Sequence, residues 1–295
     1  MTVGIVDVGS NTVRLLVAQV RGGELVALRE EREHLFLGED VERDGRLSGE
    51  RIREAARRAG GYAASARGLG ARAVDVIVTA PGRQSANGDK LVKGLRKETG
   101  APVRVLSADE EGRMAFAGAV AGAKWLPGSV AVCDVGGGSA EAVVGTVEGG
   151  PAWSRSFDIG AVRLTQRFLP DDPPGRRALG AARDEVERHL EAFTPPLPQS
   201  ALATGGTARS LRKLVGWELD GEEFDAALRI LGKRPSAKVA KTFGLHEHRA
   251  RSLAAGVVIL SSLQARLGVP LEVSRAGLRE GAALALLDEL AASAA

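Results

Sequence analysis

A single cysteine, Cys133, excludes an internal disulfide and any metal site built from several thiolates, and its place in an aliphatic run assigns it to core packing. The four histidines are scattered and form no H-x-x-x-H pair; His246 and His248, in LHEHR, read as a solvated loop. No apolar run approaches the ~18–20 residues that a membrane span needs, so no membrane partner is expected. Aromatic residues make up only 4% of the chain, with one tyrosine and three tryptophans, which leaves few rings to stack on a nucleobase. Neither sign of charge dominates: 40 basic against 37 acidic residues give a net +3, so no nucleic acid is expected as partner. There is no G-x-x-x-x-G-K-[ST] loop, and no glycine fingerprint between a strand and a helix. The N-terminus lacks the basic and apolar regions of a secretory signal and reads as that of a cytoplasmic protein.

What is present is a globular chain of 295 residues, 44% of them hydrophobic, a length that suits two domains. Residues 3–8 and 13–20 read as strands around a GSNT bend, with a third strand at Glu24–Arg32. The segment from Ser48 to Leu69 has helical spacing, with Ser48 as its cap and its arginines on a solvated face. AVDVIVTA (73–80) is a buried strand, PGRQSANG an interruption, and a helix then runs to Lys97. After a strand at 103–106, SADEEGRMAFAGAVAGA (107–123) is a helix with Ser107 and Glu110 as a capping box.

A connector, KWLPGSV (124–130), follows, and then the opening pattern returns: VAVCDVGGGSAEAVVG stands beside VGIVDVGSNTVRLLVA, an internal repeat of about 125 residues. A repeat of that size argues for duplicated domains. The boundaries expected are 1–124, 125–279 and a C-terminal helix, 280–295, that packs back on the first domain. The second half continues with a strand at 151–158, a helix opening at IGAVRL, a PDDPPG loop, a helix at 176–193, a strand at 200–204 and a mainly helical remainder.

Three small-residue bends follow buried strands: Asp7-Val8-Gly9-Ser10-Asn11-Thr12, Asp134-Val135-Gly136-Gly137-Gly138-Ser139 and Thr204-Gly205-Gly206-Thr207. Glycine lets backbone N–H groups converge on an anion, and Ser, Asn and Thr side chains add donors, so three such bends suit a polyphosphate chain. Asp7, Asp134 and Glu141 are the candidate metal ligands; hard oxygen donors beside phosphates favour Mg²⁺ or a similar divalent ion over zinc. Glu110 and Glu111 open a helix, where one can complement the helix dipole while the other serves as general base toward water attacking phosphorus.

DVGSNTVRLLV, TAPGRQSAN, SADEEGR, DVGGGSAE, IGAVRL, ATGGTARSL and GLREG follow one another in an order that resembles the exopolyphosphatase and guanosine pentaphosphate phosphatase family, within the sugar-kinase/actin superfamily. The resemblance implies an α/β fold of two ribonuclease-H-like domains with an interdomain cleft, and release of the terminal phosphate from inorganic polyphosphate or guanosine pentaphosphate. By the same resemblance Glu111 is the general base and Arg83, a second catalytic residue, holds phosphate. Ser10, Asn11, Thr12, Gly136, Gly137, Gly138, Ser139, Gly205, Gly206 and Thr207 line the phosphates. Asp134 and Glu141, with Asp7, hold the metal. A homodimer is in keeping with the family.

This chain departs from the pattern at Ala140, where threonine is common, at Arg251 in Arg249-Ala250-Arg251, and at Arg275 before GLREG, the last two standing where the family carries acidic residues. Those departures motivate an alternative, a slow sensor that binds polyphosphate or alarmone. An ATP-dependent kinase follows from the superfamily alone, and the EEGR segment counts against it.

Overall fold

Strong alternation at the start of the chain puts Val3 and Ile5 on one face of a strand and Val6 and Val8 on the other, and both faces are buried. The computed structural model describes residues 1–123 and 126–293; Lys124 and Trp125 of the expected connector, where the expected boundary 124/125 falls, and residues 294 and 295 of the expected last helix lie outside the described residues. The chain divides into two compact units, Met1–Met114 with the segment from Leu278 onward, and Ala115–Gly277.

The first unit runs β1 (Thr2–Val8), β2 (Thr12–Arg21), β3 (Glu24–His34), α1 (Leu37–Asp44), α2 (Gly49–Gly68), β4 (Ala73–Val78), α3 (Ala80–Gln84), α4 (Gly88–Thr99), β5 (Val103–Val105) and the first part of α5 (Ala108–Ala121). Its sheet has the order β3-β2-β1-β4-β5, with β1, β2 and β3 antiparallel and β4 and β5 parallel to β1. Helix α2 forms where expected, with the Ser48 hydroxyl accepting from the Arg51 N–H at 3.3 Å. It turns Ala55, Ala59, Tyr62, Ala63 and Ala66 onto Val6, Val8, Leu15 and Val17. β3 is an edge strand whose exposed residues are largely charged, which discourages pairing with another chain.

The second unit takes up α5 and continues with β6 (Ser129–Val135), β7 (Ala140–Thr146), β8 (Gly150–Phe157), α6 (Ala161–Phe168), α7 (Arg176–His189), β9 (Ser200–Thr204), α8 (Gly205–Val215), β10 (Glu218–Leu219), α9 (Gly221–Leu231), α10 (Ser236–Phe243), α11 (Glu247–Leu267) and β11 (Leu271–Val273). Its sheet order is β10-β11-β9-β6-β7-β8. Read outward from the first strand of each unit, the order is third, second, first, fourth, fifth in both, with only β10 added. The sequence repeat is therefore a duplicated ribonuclease-H-like α/β topology. Helix α11 is buried along most of its length among the other helices and the sheet. The last helix, α12 (Leu278–Ala292), belongs to the first unit, where Ala282, Ala283 and Leu287 cover Val3, Ile5, Leu16 and Ala18.

Several details differ from the sequence reading. Ala80 from the end of the expected strand and residues 81–84 of the expected interruption form α3, with Pro81 in its first turn, where the missing N–H costs nothing. Helix α7 stops at His189, and β10 and β11 stand in a region expected to be mainly helical. His246 caps α11 and His248 lies in its first turn, both exposed, so the expected loop is a helix start. Cys133 is fully buried, and burial, with Asp134 adding to it, pushes its thiol up to about 12, which makes it inert at neutral pH.

Helix α1 was not anticipated. Its anchor is Asp40, a buried carboxylate that accepts from the Ser48 N–H at 2.9 Å and from Arg43 at 3.1 Å. Burial by itself would raise the Asp40 pKa; the Ser48 hydrogen bonds and the Arg51 and Arg43 charges outweigh it and hold the group below the usual aspartate value. Because the folded pKa is depressed, the stability that Asp40 contributes is complete above about pH 4 and is lost as pH falls through the folded value. Asp40→Asn is expected to lower the melting temperature at pH 7 and to flatten its acid dependence, as measured by thermal unfolding from pH 7 down to pH 3.

Candidate active site

The β1–β2 and β6–β7 connections close with the same hydrogen bond. The Gly9 N–H donates to the Thr12 carbonyl at 3.0 Å, and the Gly136 N–H donates to the Ser139 carbonyl at 3.0 Å. In each bend the neighbouring segment takes the carbonyls. Ser10 O accepts from the Gly38 N–H at 2.7 Å, and Asn11 O accepts from the Leu35 N–H at 3.0 Å and the Phe36 N–H at 3.2 Å. Gly136 O accepts from the Ala161 N–H at 2.9 Å, and Gly137 O accepts from Val162 and Arg163 at 3.0 and 3.2 Å. A trans peptide directs its N–H opposite its C=O, so the N–H groups of Asn11 and Thr12, and of Gly137 and Gly138, are turned away from these partners. An anion would meet those N–H groups from the side away from these partners.

The cost of shaping the first bend is visible at Phe36, whose φ of 53° is the one positive value at a non-glycine residue among the described residues. In the second bend the constraint falls on Gly160, where a Cβ would meet the Gly137 carbonyl carbon and oxygen at 2.4 Å. The opening glycine of IGAVRL is thus what lets the N-terminus of α6 close on the GGGS loop.

The adjacent glutamates of α5 have separate tasks. Glu110 accepts from the Ser107 N–H at 2.7 Å while the Glu110 N–H donates to the Ser107 hydroxyl at 3.2 Å, completing the expected capping box. The side-chain hydrogen bond with Ser107 lowers the Glu110 pKa. Glu111 is buried and accepts from Arg83 Nη1 at 2.7 Å, and the same Nη1 donates to the Leu106 carbonyl at 2.8 Å. Nearby, Asn87 bridges both backbone groups of Leu47 at 2.9 Å, so this residue of the TAPGRQSAN segment fastens one loop to another.

In the second unit the register aligns Thr204, Asp134, Glu141 and Ser156 as one rung across β9, β6, β7 and β8. Directly paired residues share a sheet face, so Asp134 and Glu141 point the same way. Glu141, 2% exposed, accepts from the Ser156 hydroxyl at 3.0 Å. Ser156 was not singled out in the sequence; its one cue is its position in the alternation of WSRSF. Asp134 is pressed against Gly205, where an added Cβ would come 2.1 Å from Asp134 Oδ1.

The third bend proves to be the first turn of α8. Gly205 has φ +81°, and the Thr207 hydroxyl donates to the Val135 carbonyl at 2.7 Å. Thr207 thereby ties α8 to β6, its proton committed to backbone. Gly206 follows in the same turn. Among the described residues no three His, Cys, Asp or Glu side chains gather into a group that could hold a metal ion. The pair that does share a face is Asp134 with Glu141, while Asp7 lies buried on β1 of the first unit.

The three departures from the family pattern acquire locations. Ala140 is fully buried in the core of the second unit. Arg251 donates to the Leu169 and Pro170 carbonyls, capping the C-terminal end of α6. Arg275 lies over Trp217, its guanidinium carbon 4.9 Å from the ring centroid.

Comparison with known proteins gives a consistent result. Residues 16–290 match the sequence model of the Ppx/GppA phosphatase family. Exopolyphosphatase 1 of Mycobacterium leprae is 31% identical over 98% of this chain and 90% of its own length. Exopolyphosphatase 2 of Mycobacterium tuberculosis is 29% identical over 96% of this chain and 98% of its own. The crystal structure of the Aquifex aeolicus member of the Ppx/GppA family superposes with a TM-score of 0.82 at 29% identity, covering 98% of both chains.

Proposed function

This chain belongs to the Ppx/GppA phosphatase family, and we propose that within it the protein is an exopolyphosphatase, which hydrolyses the terminal phosphoanhydride bond of inorganic polyphosphate. The observation that carries this reading is the division of labour on α5: Glu110 is used as a cap, while Glu111 is buried against Arg83. In the reaction proposed, Glu111 accepts a proton from water as its oxygen bonds to the terminal phosphorus. The bridging P–O bond breaks, and the shortened chain leaves on the bridging oxygen. Arg83 orients the Glu111 carboxylate through Nη1 and keeps further N–H groups for phosphate oxygens. The bends at 9–12 and 136–139 each supply donors suited to those oxygens.

Two carboxylates on one rung fit Mg²⁺, which is commonly held by one or two carboxylates, water and substrate phosphate. Asp134 and Glu141, both in the second unit, would hold it. When bound, the ion neutralises phosphate charge. The sensor alternative loses two of its three motives, because Ala140 is core and Arg251 caps a helix.

The test is a side-by-side measurement of phosphate release from long-chain polyphosphate and from guanosine pentaphosphate, with Mg²⁺ and with EDTA. Release from polyphosphate that EDTA abolishes is expected, and a preference for polyphosphate would match the scarcity of aromatic residues. No release from either substrate would sink the proposal. Exclusive turnover of guanosine pentaphosphate would transfer the mechanism to that substrate.

A further inference from the structure

Beyond the loops described above, α8 leads to an unusual grouping of charge. Arg212 lies over Trp217 with its guanidinium carbon 4.0 Å from the ring centroid, and Arg275 approaches the same ring at 4.9 Å. Trp217 and Arg275 are exposed and Arg212 is half-buried. Among the described residues neither guanidinium has a carboxylate partner. Each guanidinium is within cation–π reach of the one indole, so two positive charges gather at that ring. Hydrogen bonds to the main chain fix the segments that carry the ring and one of the arginines: the Val273 N–H donates to the Trp217 carbonyl at 2.8 Å, and Arg209 donates to the Arg275 carbonyl at 3.3 Å. Two cations gathered on one ring without a carboxylate partner suit an external anion.

Its position says which anion. Arg209 and Arg212 are three residues apart on α8, hence on one face, and Arg212 stands seven residues beyond Gly205, about 10 Å along the helix from the Asp134 loop. The 274–277 turn that carries Arg275 is itself fastened beside that loop, through the Thr204 hydroxyl to the Ala276 carbonyl at 2.7 Å. We infer that Arg212, Arg275 and Trp217 form an accessory subsite for internal phosphates of a long polyphosphate chain whose terminal phosphate is held at the loops of the second unit. The identification of the anion rests on the polyphosphate reading above. The indole already carries guanidinium groups, so its task is to hold the arginine forks edge-outward toward phosphate oxygens.

Two measurements test this. In the steady state, Arg212→Gln/Arg275→Gln is expected to raise KM for long-chain polyphosphate roughly tenfold and KM for tripolyphosphate less than twofold. An equal rise for both substrates, or none for the long chain, would overturn the subsite. Binding is read separately in the Glu111→Gln background, without turnover, from tryptophan fluorescence. Long-chain polyphosphate should change the emission, tripolyphosphate should not, and the change should vanish in Trp217→Phe. A fluorescence response to guanosine pentaphosphate equal to that for long-chain polyphosphate would also overturn it. If the wild type binds long chains through this pair but releases no phosphate, the exopolyphosphatase reading fails and the subsite stands. If phosphate is released and the double variant keeps the wild-type long-chain KM, the subsite fails alone.

Discussion

Glu111→Gln is expected to reduce phosphate release from polyphosphate by at least about two powers of ten, the usual contribution of one positioned general base. Glutamine keeps the shape and can still meet Arg83, so the loss would isolate the missing proton acceptor. The contrasting variant is its neighbour. Glu110 accepts from the Ser107 N–H, and glutamine serves equally in a capping box, so Glu110→Gln should retain activity within a few-fold. Initial-rate measurements on both variants, with unchanged melting temperatures as control, make the comparison direct. Equal losses at 110 and 111 would mean that the helix start matters as a unit and that Glu111 is no base. Full activity in Glu111→Gln would remove the proposed mechanism altogether.

Why these two residues could be told apart only in three dimensions is instructive. The sequence places both in the first turn of a helix, and the dipole argument applies to each alike. The capping box singles out Glu110 by its spacing from Ser107, but nothing local says where Glu111 points. That depends on Arg83, 28 residues earlier and on a different helix.

The duplicated strand–bend–strand was legible for the opposite reason: alternation and bend chemistry lie within some fifteen residues and recur, so the two-sheet topology follows from local pattern plus repetition. Helix α1 and the short β10 and β11 span too few residues to show a period, and they exist because partners outside each element hold them. Asp40 reaches Ser48, and β11 pairs with β9 some seventy residues earlier. Helix α5 gives its first half to one unit and its second half to the other. Phe116, Ala119 and Val120 pack with Val130, Val132 and Leu202, and no change of composition inside the helix marks that handover. Arg251 and Arg275 read alike in the sequence, yet one caps a helix and the other lies on an indole. Substitution pattern alone could not separate a fastening from a surface charge.

Gly205→Ala should be the second severe loss, and a matched glycine shows why. Gly205 and Gly70 share a φ of +81°, so alanine at either position incurs the same left-handed strain, about 1–2 kcal/mol. Gly70 has nothing within 4 Å of an added Cβ, whereas at Gly205 that atom would stand 2.1 Å from Asp134 Oδ1. Gly70→Ala is therefore expected to lower the melting temperature by a few degrees and leave phosphate release near wild type. Gly205→Ala must in addition displace the Asp134 carboxylate by an ångström or more, a misplacement that ordinarily costs about a hundredfold in rate. Its activity should fall that far with a similar melting temperature, and its Mg²⁺ requirement should shift to higher concentration. If both alanines lower activity equally, or Gly205→Ala keeps the wild-type Mg²⁺ dependence, then Asp134 does not depend on Gly205 for its position. The rung of carboxylates on β6 and β7 would then have to be separated from the chemistry.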